Sequence, residues 1–298
     1  MVMHDMQMIY GKILNIDDDL RTLTLDVRRR RMTFYIQRST FSRYLPYFQK
    51  GNMIVATYHT RDTVKHAHRR HTVNDIVRIV KPARRGGHEL FSHRALKHQT
   101  RAFINGLRHK VFLDLEMAMH PFYRQDDFTQ EVIQAAYVLT DERDNIVTSY
   151  AAFVQPTKHK KLTKRTLKFL GITQDDVDEG ISFEAFYQHF LEVINTYDPA
   201  VITWGGNDAI AMAESARINN LPPLGGDARF VNLLNLHKNV FRLQNDLGLL
   251  RAYNVYGHTR ENQRHDAMED AMMTMKIFNG FKAYLNDALT LDSEVMPK

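Results

Sequence analysis

The stretch KVFLDLEMA, residues 110–118, sets two carboxylates inside an otherwise apolar run. Read as a strand, it places Asp114 and Glu116 on one face and Leu115 on the other. Carboxylates are seldom buried without a partner or a metal. The strand end is therefore solvated, paired with an Arg, or built to hold a cation. Working outward, EVIQAAYVLTD (131–141) and IVTSYAAFVQP (146–156) read as further strands. SFEAFYQHFLEVINTY (182–197) is a strongly periodic helix capped by Ser182, with Glu184 and Glu192 on its faces. AVITWGGND (200–208) is a second buried strand ending in a Gly turn. Helices follow at 210–220, at 231–240 and from Asp266 to about Leu285. Alternating α and β elements of this kind predict a mixed α/β domain.

The first third has another rhythm. Strands are expected at 8–36 (three of them, with a turn at Asp17-Asp18-Asp19), then a short helix in FSRYLPYFQKG ending at Gly51. Two more strands, NMIVATYHT and TVNDIVRIV, flank the basic connection RDTVKHAHRRH. Three strands, a helix and two strands is the order of an OB-like barrel. KPARRGGHE reads as a boundary and 89–109 as a basic connecting helix. The expected organisation is an OB-fold-like domain over 1–83, a basic linker or helix over 84–106, and an α/β domain over 107–298.

Charge follows the same division. Residues 1–110 carry 22 Lys/Arg and 8 Asp/Glu, a net +14. Residues 111–298 carry 18 and 26, a net −8. A basic module attracts polyanions, and an acidic module that handles polyanions needs metal ions to neutralise its site. The absence of Cys excludes a disulfide scaffold, a zinc finger and a thiol nucleophile, and fits a reducing cytoplasm. No apolar run reaches the ~18–20 residues of a membrane span, and the N-terminus has no signal-peptide pattern. The expectation is a cytoplasmic protein without a membrane role.

Two further segments carry carboxylates. Asp208 closes the second buried strand, where it reads equally as an N-cap of the helix that follows. In His265-Asp266-Ala267-Met268-Glu269-Asp270, the histidine precedes a helix and Asp270 projects from it. Asp266 and Glu269 are also explained as a charged first turn opposing the helix dipole; Asp270, beside Ala271 and Met272-Met273, fits that reading less well.

The ordered set of a DxE strand, a strand-end Asp and a terminal HxAxxD resembles the DEDDh exonuclease superfamily, also called DnaQ-like or RNase T-like. The likeness covers about 107–285 and includes Glu131, LTKRTLKFLGIT and SFEAFYQHFLEVI. Trp204-Gly205 ahead of Asp208, and LGLLRAYNVYG, resemble the Eri-type branch, which trims RNA 3′ ends. HDAMED is nearer the DnaQ pattern, and Met117-Ala118 replaces the Ala-Thr or Thr-Thr of many relatives.

The resemblance implies an RNase H-like mixed sheet flanked by helices, and a 3′-5′ exonuclease releasing nucleoside 5′-monophosphates from single-stranded nucleic acid, RNA favoured. It implies two ions, Mg²⁺ or Mn²⁺, held by Asp114, Glu116, Asp208 and Asp270, with His265 as general base. Met117 would wedge beside the terminal base, and Trp204 would belong to the substrate site. A DNA exonuclease of proofreading or repair type, and a non-catalytic nucleic-acid-binding protein, are the alternatives. In the basic module, Arg28, Arg30, Lys65, Arg69 and Arg70 are the candidate strand contacts. Tyr10, Phe34, Tyr35 and Tyr58 are either stacking partners or barrel core.

Overall fold

The computed structural model describes residues 7–62, 69–84, 86–121, 128–224, 229–261 and 265–291. The chain forms two compact units. One comprises Met1–Thr100 with Val240–Asn245, the other Arg101–Asn239 with Asp246–Lys298.

The first unit holds strands β1 (Gln7–Asp17), β2 (Thr22–Val27) and β3 (Arg30–Ile36), helix α1 (Arg38–Tyr44), and strands β4 (Met53–Asp62), β5 (Arg69–Pro82) and β6 (Gly87–Ser92). The strand order is β3-β2-β1-β4-β5-β6, and β3 also pairs with β5, Phe34 opposite His71 and Ile36 opposite Val73. The first five strands thus close into a ring. Period-two alternation explains the closure: Ile9, Ile13, Leu23, Leu25, Phe34, Ile36, Ile54, Ile76 and Ile79 all turn inward and are buried. Phe41 and Tyr44 of α1 join the same core. Gly87 pairs with Pro82 across a hairpin turn, so the stretch 84–106 holds a sixth strand before its helix. The hexapeptide 240–245 is stitched to this unit by Arg242–Asp75 (2.6 Å), by Gln244 Nε2 donating to the Asn74 carbonyl (2.9 Å), and by Thr40 Oγ1 donating to Gln244 (3.0 Å).

The β2–β3 turn has two residues, Arg28 and Arg29, with φ of 52° and 66°. A two-residue turn matching strand twist needs positive φ at both positions, which Asn-Gly supplies freely. Each Arg there costs on the order of 1 kcal/mol.

Helix α2 (His93–Gly106) begins in the first unit, and its last six residues open the second, which goes on with β7 (Lys110–Met117), β8 (Val132–Thr140), β9 (Ile146–Gln155), α3 (Lys164–Leu170), α4 (Gln174–Asp178), β10 (Ile181–Ser182) and α5 (Phe183–Tyr197). It continues with β11 (Ala200–Thr203), α6 (Asn207–Ile218), β12 (Arg229–Asn232), α7 (Leu233–Phe241), α8 (Leu249–Val255) and α9 (Ala267–Leu285). The sheet order is β10-β9-β8-β7-β11-β12, antiparallel through β7, β8 and β9 and parallel elsewhere. This mixed sheet flanked by helices is consistent with an RNase H-like exonuclease fold.

Every residue of β8 is buried, because helices cover both faces of the sheet. On one face Val111, Leu113 and Leu115 pack with Phe186, Tyr187 and Phe190 of α5 and Met212 of α6. On the other, Phe112 meets Phe278 of α9 edge to face at 5.3 Å. Each buried ring contributes roughly 2–3 kcal/mol. Lys110 is fully buried at the start of β7 and bridges to Asp144 (2.9 Å), which also receives Lys282 of α9 (2.6 Å). Gly280 lets α9 approach Tyr256, since a Cβ there would lie 2.5 Å from the ring. Among the described residues no helix is long and apolar enough to cross a membrane.

Candidate active site

The site forms where β7 runs out. The face of β7 that carries Phe112 also carries Asp114 and Glu116 toward α9, while Leu115 turns into the core on the far side. At Glu116 the pairing with β8 is regular, Glu116 opposite Gln134, but at Met117 it shifts to Val132. The resulting bulge ends the regular face at the second carboxylate.

Asp208 arrives from β11. Gly205, at φ 120°, makes the strand-to-helix turn, and Gly206 is the N-cap of α6. Asp208 therefore sits inside the first helical turn and is not its cap. Its Oδ1 instead accepts the backbone N–H of Leu115 at 3.0 Å, between the two β7 carboxylates in sequence. The Asp is buried, 7% exposed.

The third contribution comes from the start of α9. Asp266 is the N-cap and accepts the N–H of Glu269 at 3.0 Å; Glu269 pairs with Arg260 at 2.5 Å. These two acids are structural. Asp270, one position on, is buried at 4% exposure. His265 lies just ahead of the cap, with Nδ1 3.9 Å from Glu116 Oε1 and its ring stacked on Phe169 of α3 at 4.2 Å. One ligand atom from each of Glu116, His265 and Asp270 falls within 4.8 Å of the other two.

Charge makes the site a single unit. Burial, then the charges of Asp208, Asp270 and Glu116, raises Asp114 well above the usual carboxylate range. Burial, then Asp270 and Asp208, pushes Glu116 up to about 8. Burial raises Asp208 to about 6 against the opposing hydrogen bond from Leu115. Burial lowers His265, so its imidazole is neutral at pH 7 and able to accept a proton. The structure thus brings Asp114, Glu116, Asp208, His265 and Asp270 to one place. Oxygen donors from three elements, crowded in apolar surroundings and held against their own repulsion, fit a hard divalent cation.

Two positioning residues were not evident from sequence. Gln134 is an amide in an apolar strand. Its Nε2 donates to Asp266 at 2.8 Å and its Oε1 accepts the N–H of Ala267 at 3.2 Å, clamping α9 to the sheet. Its polarity within EVIQAAYVLT was the available signal. Phe169 was hidden among the periodic apolar residues of α3.

Met117 lines a hollow of about 420 Å³ with His120, Phe128 and Ile210, the last 69% exposed. Trp204 commits its Nε1 to the carbonyl of Leu247 at 2.9 Å and packs edge-on to buried His237. In the first unit, Arg28 and Arg30 lie at the β2–β3 turn. Arg69 and Arg70 lie in β5 with side chains outside the described portion, and Lys65 lies outside the described residues. Phe34 and Tyr58 are core residues, 0% and 8% exposed, and cannot stack on a ligand; inward alternation buries them. Tyr35 pairs with Arg21, whose guanidinium donates to its hydroxyl at 3.3 Å. Tyr10 alone of the four is open, at 62% exposure.

Residues 111–278, more than half of the chain, match the RNase T exonuclease family, and the chain belongs to that family. It is a 3′-5′ exonuclease. It is similar to a probable 3′-5′ exonuclease, KapD, of Bacillus subtilis, 34% identical over 170 residues that span 56% of this chain and 82% of that protein. Its fold is similar to that of a full-length 3′-exonuclease crystal structure, with TM-score 0.53, 16% identity, and 62% and 85% of the two chains covered. The nuclease domain of 3′hExo, a DEDDh family member solved bound to rAMP, matches with TM-score 0.52, 17% identity, and 63% and 98% covered.

Proposed function

We propose that this chain is a metal-dependent exonuclease that shortens single-stranded nucleic acid from its 3′ end, RNA before DNA, releasing nucleoside 5′-monophosphates. The observation that carries the reading is the convergence of four carboxylates and one neutral imidazole, with Glu116 pushed to about 8 by burial and then by its acidic neighbours. Such crowding is costly without a cation and useful with one. Asp114, Glu116, Asp208 and Asp270 would hold two ions, Mg²⁺ or Mn²⁺. When bound, these supply charge stabilisation at the attacking and leaving oxygens.

The residues of the chain do the rest. His265 takes a proton from the attacking water. The water oxygen bonds to phosphorus as the bond to the 3′-oxygen of the preceding nucleotide breaks; that oxygen takes a proton from solvent, and His265 returns its own to solvent. Glu116, 3.9 Å from Nδ1, steadies the imidazolium that forms. The hollow beside Met117 would receive the terminal base, and Trp204 would brace the turn before Asp208.

RNA is favoured because the 3′hExo domain was solved with rAMP and a related 3′-exonuclease recognises a histone mRNA stem-loop. Trp204-Gly205 before Asp208 supports the Eri-type branch. The ring β1-β2-β3-β5-β4, with a helix between β3 and β4, supports an OB-like barrel that holds the strand through Arg28, Arg30, Lys65, Arg69 and Arg70. A layout of barrel, basic connector and exonuclease domain, at work in the cytoplasm, completes the proposal.

The test uses 5′-labelled RNA and DNA of one sequence with Mg²⁺, Mn²⁺ or EDTA, beside Asp114→Ala. A ladder receding from the 3′ end, lost with EDTA and with the variant and faster on RNA, is the expected result. Faster digestion of DNA selects the DNA exonuclease, and a ladder that survives EDTA overturns the metal-dependent mechanism.

A further inference from the structure

We propose that the outer face of β1 and β4, bounded by the Arg28-Arg29 turn, is a docking groove for single-stranded nucleic acid with Tyr10 as its stacking platform. The inference rests on the reading that the chain acts on such strands, and it assigns a contact surface within the first unit.

The groove has a volume of about 860 Å³ and is lined by Met8, Tyr10, Lys12, Asp26, Arg28 and Arg29, among others. Three features of these residues go against what folding alone would select. First, the outward side of a barrel strand is ordinarily polar, yet Met8 and Tyr10 stand 70% and 62% exposed, while Ile9 and Ile13 of the same strand turn inward. The apolar character continues across the sheet, because Tyr10 lies opposite Val55 and Lys12 opposite Met53. Second, the turn holds Arg28 and Arg29 at positive φ, where Gly and Asn are unstrained. Neither guanidinium has a recorded partner among the described residues. Strain kept at two adjacent unpaired cations points to a use for the charge. Third, one oxygen of Asp26 is buried with no hydrogen-bond partner among the described residues.

These features match one chemistry. An exposed aromatic ring offers a face to a base, whatever its identity. The paired guanidiniums meet consecutive phosphates. The carboxylate of Asp26, which lines the groove, accepts an exocyclic amine, a contact a phosphate could not make. The net +14 of residues 1–110 complements the polyanion.

The experiment measures fluorescence anisotropy of labelled single-stranded RNA of about twelve nucleotides, within the range one such barrel covers. The 298-residue chain is kept in EDTA so that nothing is cut. The double variant Arg28→Asn/Arg29→Gly installs the turn sequence that the backbone prefers, so its melting temperature should hold or rise. Its affinity should fall about tenfold, and its salt slope by about 1.4, or 0.7 for each lost phosphate contact. Tyr10→Ala should weaken binding about tenfold and Tyr10→Trp should restore it. 5-Iodouridine RNA should cross-link to the peptide carrying Tyr10. Unchanged affinity and salt slope in the double variant, or no binding by the wild-type protein, would overturn the proposal. Because no hydrolysis is read, the groove fails or stands independently of the exonuclease ladder.

Discussion

Replacing Asp114 by Asn should make the metal-free protein more stable at pH 8 and leave it nearly indifferent to metal. The change is isosteric and removes one charge from a buried group of four. Glu116 reports the scale. Its ordinary value of 4.5 rises to about 8 by burial and then by Asp270 and Asp208. A carboxylate whose folded pKa is raised binds its proton more tightly in the folded state. Its contribution to stability is therefore fully present below 4.5 and is lost as pH climbs toward 8. That interval corresponds to roughly 5 kcal/mol at 1.36 kcal/mol per pH unit. Burial is the largest part of that rise and survives the substitution, while Asp114, raised by burial and the same acidic neighbours, no longer contributes its own; about half of the interval is expected to be visible. Urea unfolding followed by the fluorescence of Trp204, the single tryptophan, checks this directly. In EDTA the wild type should lose about 2–3 kcal/mol between pH 5 and 8 relative to Asp114→Asn. Saturating Mg²⁺ should restore the wild type at pH 8 and add little to the variant. Equal pH profiles for the two proteins in EDTA, or a variant less stable at pH 8, would refute the repelling cluster.

Gln134→Ala removes both bonds that clamp Asp266 and Ala267. It should raise the Mg²⁺ concentration for half-maximal activity several-fold at a stability cost of about 1–3 kcal/mol; an unchanged metal titration rejects the clamp. Phe169→Ala should lower the single-turnover rate about tenfold with little change in KM, and Phe169→Tyr should restore it; a shift in KM alone would make Phe169 a substrate contact and not a support for His265. His237 is buried and its imidazole is pushed down to about 3. Its stability contribution is fully present above pH 6.5 and is lost as pH falls, about 2 kcal/mol at pH 5. Wild-type stability should therefore fall relative to His237→Gln between pH 6.5 and 5; parallel curves exclude the buried neutral imidazole.

Sequence periodicity carried much of this site. Alternation alone put Asp114 and Glu116 on one face and Leu115 on the other, and the helix read from Asp266 does start there, with Asp266 as its N-cap where a charged first turn was expected. Asp208 was ambiguous because a strand-end Asp before a helix looks like a cap. Only the Leu115 N–H, 93 residues away in sequence, shows that it ties β7 to the first turn of α6. Sheet completion was less legible. Gly86-Gly87 reads as a boundary, yet Gly87 opens a strand that pairs with β5, and β5 begins at Arg69, inside the stretch read as a loop. The docking of 240–245 on Asp75 and Asn74 is a long-range contact with no local pattern. Aromatics at alternate strand positions were sorted only by the direction each strand faces, which buries Phe34 and Tyr58 and exposes Tyr10.

The most direct test of the central claim is digestion of a 5′-labelled single-stranded oligonucleotide in H₂¹⁸O with Mg²⁺, with the products resolved by mass spectrometry. The account predicts nucleoside 5′-monophosphates carrying one ¹⁸O on phosphorus, released in order from the 3′ end, and none from Glu116→Gln. Products bearing 3′ or cyclic phosphates, internal cuts, or undiminished release by Glu116→Gln would contradict it.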